Sequence, residues 1–205
     1  MDEQNQESCT AFEGNRRIAS GDIRQVAKKV KEFIGGDDQL PILIFDDLTS
    51  EVIEIDFRGT MADVLKKLEK PTAKVNVATI LSDTDKNEQR GPGRPKLGVV
   101  SREVTLLPRH WDWLNSQPGG ASVALRKLVE EARRVNGNRD KVRRSQEVTY
   151  RFISAMAGDL PGFEEATRTL FAANPERFNE LIVPWPVDIQ VHARKLAEAA
   201  FQNCV

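Results

Sequence analysis

An α+β fold is what this sequence predicts, and three observations predict it. Over residues 9–70 short apolar runs alternate with turn formers, and one helical stripe lies among them. Residues 71–98 are then polar, rich in Gly, Pro and charge, and lose that periodicity. From about Ser145 onward the apolar spacing is helical. The division that follows is a small α+β domain at 1–70, a basic linker at 71–98, a central unit at 99–140 and a helical domain at 141–205.

The first domain reads as ββαββα. "CTAFEGNRRIAS" makes two short strands around a Gly14-Asn15 turn. Asp22 is placed to cap a helix whose apolar positions, Ile23, Val26, Ala27, Val30, Phe33 and Ile34, share one face. Gly35-Gly36 stops it. "PILIFDD" and "EVIEIDF" supply two more strands, and Thr60 opens a short helix through Leu65 and Leu68 that Pro71 ends.

In the central unit a short strand, Glu103 to Leu107, meets Pro108 and a helix carrying Trp111 and Leu114. "QPGG" breaks that helix, and Ser122 caps a second one with Leu125, Leu128, Val129 and Ala132 on one side. A strand and two short helices offer too little core for a stable monomer, so a dimer is expected. "RRVNGNRDKVRR" (Arg133 to Arg144) reads as another basic patch, or else as a solvated helix end and loop. Beyond it three helical stripes follow, and "PWPVDIQVHARKLAEAAF" starts a last helix at Pro186. Trp185 reads as a plug of that bundle and His192 as exposed, off the apolar stripe.

Charge is distributed unevenly. Met1 to Asp85 holds 11 Lys/Arg against 17 Asp/Glu, a balance of −6; Lys86 to Arg144 holds 14 against 6, or +8; Ser145 to Val205 holds 5 against 8, or −3. A basic middle between acidic ends points to a polyanionic partner, or to ends that mask the middle.

Two stretches carry resemblances. "PGRPK" resembles the core of an AT-hook. That likeness implies Gly93, Arg94 and Pro95 extended in a narrow minor groove, where inserted Arg is favoured, with Arg90, Lys96 and Arg102 on phosphates. "VTLLP" and "GGASVALRKLV" resemble the ribbon-helix-helix family over Arg102 to Arg134. That likeness implies a homodimer through strand 103–107 and helices 109–134, with Thr105 on the ribbon and Ser122 and Arg126 at a phosphate clamp. The strand departs from the pattern. One face presents Glu103, Thr105 and Leu107, the other Arg102, Val104 and Leu106, and neither is rich in the Arg, Lys, Asn and Gln that read bases. Across most of its length the chain is also similar to a bacterial family, domain of unknown function 2239, on "GRPKLGVVSREVTLLPRHWDWLNSQPGGASVALRKLVEEARR" and "AMAGDLPGFEEATRTLFAANPERF".

Other classes find little support. His110 and His192 are the only histidines, Cys9 and Cys204 the only cysteines, and no metal-ligand spacing, P-loop, GxSxG or GxGxxG occurs. Asp37-Asp38 and Asp46-Asp47 read as turn and strand polar positions. No enzyme, metal or cofactor is expected. No apolar run reaches the roughly 20 residues of a membrane helix, and the N-terminal segment lacks a secretory pattern, so the expected location is the cytoplasm. The leading expectation is a DNA-binding regulator or nucleoid-associated protein. The rival is a homodimeric adaptor for an acidic protein partner, with no nucleic-acid role.

Overall fold

A tight turn at Gly14 and Asn15 joins β1 (Ser8–Glu13) to β2 (Arg16–Asp22) as an antiparallel hairpin, with an irregularity between Ala11 and Phe12. The structure is a computed structural model that describes residues 8–34, 41–69, 100 and 102–202. β3 (Ile42–Asp46) lies antiparallel along the other side of β1, giving the order β2-β1-β3. Seven helices follow or interleave among the described residues: α1 (Ile23–Phe33), α2 (Met61–Glu69), α3 (Pro108–Ser116), α4 (Gly120–Ala157), α5 (Phe163–Phe171), α6 (Pro175–Leu181) and α7 (Val187–Phe201). The α+β class therefore holds.

Local chemistry sets the helix starts. Asp22 accepts the Arg24 amide at 2.8 Å to cap α1. Thr60 and Asp63 exchange bonds at α2, the Thr60 amide donating to Asp63 Oδ2 at 2.9 Å and the Asp63 amide to Thr60 Oγ1 at 3.3 Å. Asn174 caps α6 through the Arg177 amide at 3.0 Å, with Pro175 in the first turn.

The chain divides into two compact units, Met1–Lys70 with Asn136–Val205, and Pro71–Val135. Where the sequence suggested separate N-terminal and C-terminal domains, both contribute to one core. β1 is central, so its two faces are covered differently. Cys9 and Ala11 pack with Val26 and Val30 of α1, while Phe12 points the other way to helices α4, α5, α6 and α7. Phe152 sits among Phe12, Phe45 and His192, with ring centroids 5.5, 5.2 and 4.5 Å away. Polar ties close the seam: Lys195 Nζ to Asp47 Oδ2 at 2.8 Å, the Arg17 amide to Asp188 at 2.9 Å, and Arg151 to the Thr49 carbonyl. Trp185 fills the helical side as expected, buried, with Nε1 donating to the Pro161 carbonyl at 2.9 Å.

Four readings of the sequence are corrected. "EVIEIDF" does not form the fourth strand; it meets β3 only at a Phe45–Val52 bridge, with the Ile53 amide on the Ile44 carbonyl at 2.7 Å. Ile53, Ile55 and Phe57 then turn to pack against the α1 side, a demand that outweighs strand pairing. "RRVNGNRDKVRR" is not a loop, because α4 runs unbroken from Gly120 to Ala157. One interior glycine, Gly137, costs only about 1 kcal/mol. The pairs Arg133–Glu130 and Arg143–Asp140, both 3.2 Å, support the helix on either side. His192 is buried, at 1% exposure, rather than exposed. Its burial is a property of the sheet that lies over α7, which helical periodicity alone does not report. Finally, residues 103–107 are not a paired strand in the single chain, as described next.

Candidate nucleic-acid interface

The central unit is built around a turn that only glycine suits. α3 begins at Pro108, which has no amide to leave unbonded, and the Leu107 carbonyl accepts from the His110 amide at 2.8 Å. The helix ends at Ser116, with the Gln117 amide on the Leu114 carbonyl at 3.2 Å. Gly119 and Gly120 then adopt φ of 88° and 73°, the left-handed region. A Cβ on Gly119 would also meet the Val123 side chain at 3.2 Å. These two residues reverse the chain and start α4.

Because α4 starts at Gly120, Ser122 is the third residue of the helix and not its cap. It stays exposed on the first turn. Arg126, one turn on, folds back so that its Nε donates to the Ser122 carbonyl at 3.2 Å. No acidic residue occupies that first turn. The positive end of a long helix and a guanidinium thus lie together, an arrangement that favours an anion.

Ahead of α3, residues 102–107 have neither helix nor strand pairing. Arg102, Glu103, Thr105 and Leu107 are exposed, and Val104 on the opposite face is too, at 54%. The central unit buries little: of its described residues only Leu114 and Ala124 are enclosed. Trp111, Trp113, Leu128, Val129 and Val135 remain exposed. Within this unit, the ion pair that a basic residue makes among the described residues is Arg133–Glu130. The structure thus brings Ser122 and Arg126 together and sets Arg102 and Thr105 on the extended segment. Arg90, Gly93, Arg94, Pro95 and Lys96 lie outside the described residues.

Asp46 and Asp47 play structural parts. Asp46 Oδ1 accepts the Leu48 and Thr49 amides at 2.7 and 3.0 Å, holding the turn after β3. Asp47 accepts from Ser8, Thr10 and Lys195. Burial pushes the Asp47 pKa up, but these hydrogen bonds outweigh it and hold the carboxyl below its ordinary value. Asp37 and Asp38 lie outside the described residues. No group of three His, Cys, Asp or Glu is placed to hold a metal ion among the described residues. No helix among them is long and apolar enough to cross a membrane.

Sequence reasoning missed the paired positive-φ glycines as the start of α4, and Val135 as part of its exposed face. "PGG" before an apolar helical stripe was the available signal for the first. The spacing of Val135 from Leu128 was the signal for the second.

A comparison with known families bears on the same residues. The model of a family described as an uncharacterized protein conserved in bacteria, DUF2239, matches residues 8–197. The chain belongs to the DUF2239 family. The match begins at the first residue of β1 and ends within α7, so the DUF2239 region takes in the sheet, the central unit and the closing helices. No curated protein and no solved structure matches the chain.

Proposed function

We propose that the protein binds double-stranded DNA through its central unit, as a regulator or nucleoid-associated protein. One observation carries the reading. An unpaired extended segment, residues 102–107, leads through α3 and a two-glycine turn to a helix whose open first turn bears Ser122, with Arg126 one turn on folded back toward it. This is the order of parts in one half of a ribbon-helix-helix, and a helix start free of acidic residues suits a phosphate. The +8 balance from Lys86 to Arg144 supplies the long-range attraction.

Phosphates and groove shape dominate the contact, since Glu103, Thr105 and Leu107 offer little base reading. Arg94, in the AT-hook-like "GRPK", enters the minor groove of AT-rich DNA. Arg126 and the amides of the first α4 turn hold one phosphate.

The test is binding of AT-rich and GC-rich duplexes by the full chain across a salt series, beside Arg94→Ala and Arg126→Ala. Affinity should fall steeply with salt. Arg126→Ala should weaken both duplexes alike and lower the salt slope by about 1. Arg94→Ala should erase the preference for AT. Absence of binding to either duplex at low salt refutes the reading and leaves the adaptor for an acidic protein as the successor.

A further inference from the structure

The outer edge of β3 stays open along part of its length. The Asp47 amide donates to the Ser8 carbonyl at 2.9 Å, and Phe45 and Leu43 lie opposite Thr10 and Phe12. Alternation then turns the backbone groups of Ile42, Ile44 and Asp46 away from β1. Asp46 is satisfied there, its amide on the Glu51 carbonyl at 3.0 Å, and the Ile44 carbonyl accepts from the Ile53 amide at 2.7 Å. The ladder stops at that bond, because the chain beyond Ile53 leaves the sheet. Among the described residues the Ile44 amide and the outward groups of Ile42 have no hydrogen-bond partner. Ile44 is only 3% exposed, and an amide so placed without an acceptor demands one.

Between that edge and the departing chain lies a groove of about 580 Å³, lined chiefly by Ile34, Ile42, Ile44, Ile53, Ile55 and Phe57. Glu54 is the charged residue of the lining, and it makes no ion pair among the described residues. Asp56, further along the same segment, is already held by Lys67 at 2.8 Å.

We propose that this groove binds an extended peptide of a partner protein. The peptide adds a strand to β3, seats aliphatic side chains in the groove at alternate positions and sets a Lys or Arg against Glu54. The chemistry of each part specifies the occupant. Free N–H and C=O groups on a strand edge pair with extended backbone. An apolar groove beside them accepts every second side chain while the others face away. The unpaired carboxylate calls for a cation. A second copy of this chain is a poorer fit, since it would bring Glu54 to an edge that already carries Glu54. The groove lies in the unit Met1–Lys70 with Asn136–Val205, and the proposal does not rest on the DNA reading.

The experiment follows the backbone amides of the full chain by NMR while a hexapeptide alternating valine and lysine is added. The Ile42 and Ile44 signals should shift, and the Ile44 amide should gain protection from exchange. N-methylation of the peptide's pairing amides should weaken binding about tenfold. Glu54→Lys, at an exposed position, should reverse the preference between this peptide and one alternating valine and glutamate, with the fold intact. No shift at Ile44, equal binding of the N-methylated peptide, or an unchanged preference in Glu54→Lys overturns the proposal. So does an Ile44 amide already protected in the peptide-free chain. Protection that grows with protein concentration would assign the groove to a second copy, and protection independent of concentration to the chain's own residues.

Discussion

The two units of this chain solve the problem of burial in opposite ways. In the unit of Met1–Lys70 with Asn136–Val205, one sheet is covered on both faces and its seams are tied by Lys195–Asp47 and the Arg17 amide on Asp188. Phe12, Phe45, Phe152, Phe178 and Ile189 are fully enclosed there. The central unit encloses little more than Leu114 and displays tryptophans, leucines and valines. The first unit encloses its large apolar side chains within one chain, whereas the central unit leaves most of its own exposed among the described residues. Apolar surface of that extent is seldom left to water.

The largest expected effect breaks the first unit. Phe152→Ala removes a ring in contact with Phe12, Phe45 and His192 and should cost about 3–5 kcal/mol in urea unfolding. Trp113→Ala, at a half-exposed position of α3, should change stability by no more than about 0.5 kcal/mol. Equal losses from the two would erase the contrast between the units.

The next effect comes from acid. Burial lowers the pKa of His192 to about 4, partly opposed by the Asp47 charge, while Lys195 and Arg17 lower it further. The unfolded chain, with a His pKa near its ordinary 6.5, therefore binds the proton better than the folded one. The neutral ring's contribution is present above about pH 6.5 and is lost as pH falls toward 4. Between pH 7 and 5 this should remove about 2 kcal/mol. His192→Leu should flatten that part of the stability curve; a curve equally steep in the variant would show that another group is responsible. Asp47, with its depressed pKa, acts in the same direction at lower pH, because its stabilising charge is lost as pH falls below the ordinary carboxylate range.

The smallest effect is local. Asp22→Ala removes the cap of α1 and should cost about 1 kcal/mol, read as a small drop in melting temperature, with the central unit undisturbed.

These predictions also mark what the sequence made legible. Features made by neighbours in the chain could be read directly: the Gly14-Asn15 turn, the Asp22 and Thr60 caps, and the Pro186 start of α7. What depended on distant partners could not. "EVIEIDF" has the composition of a strand, yet its inner residues serve the α1 side of the sheet. His192 lies off the obvious stripe of its helix, but a sheet from the other end of the chain covers it. A loop at "RRVNGNRDKVRR" was open to the sequence because Gly137 lies in it, yet α4 runs through. At the candidate site Arg126 and the glycine turn were legible, while the place of Ser122 was missed because Gly120 itself begins α4. The 102–107 segment keeps a strand's composition without a strand's partner in the single chain.

The most direct measurement of the contrast is hydrogen exchange on the full-length wild type and Val135→Glu at one protein concentration. The homodimer expected from the ribbon-helix-helix resemblance predicts that in the variant residues 108–135 lose protection while β1–β3 and α5–α7 keep theirs. Unchanged protection across 108–135 would contradict the account and make the central unit self-sufficient.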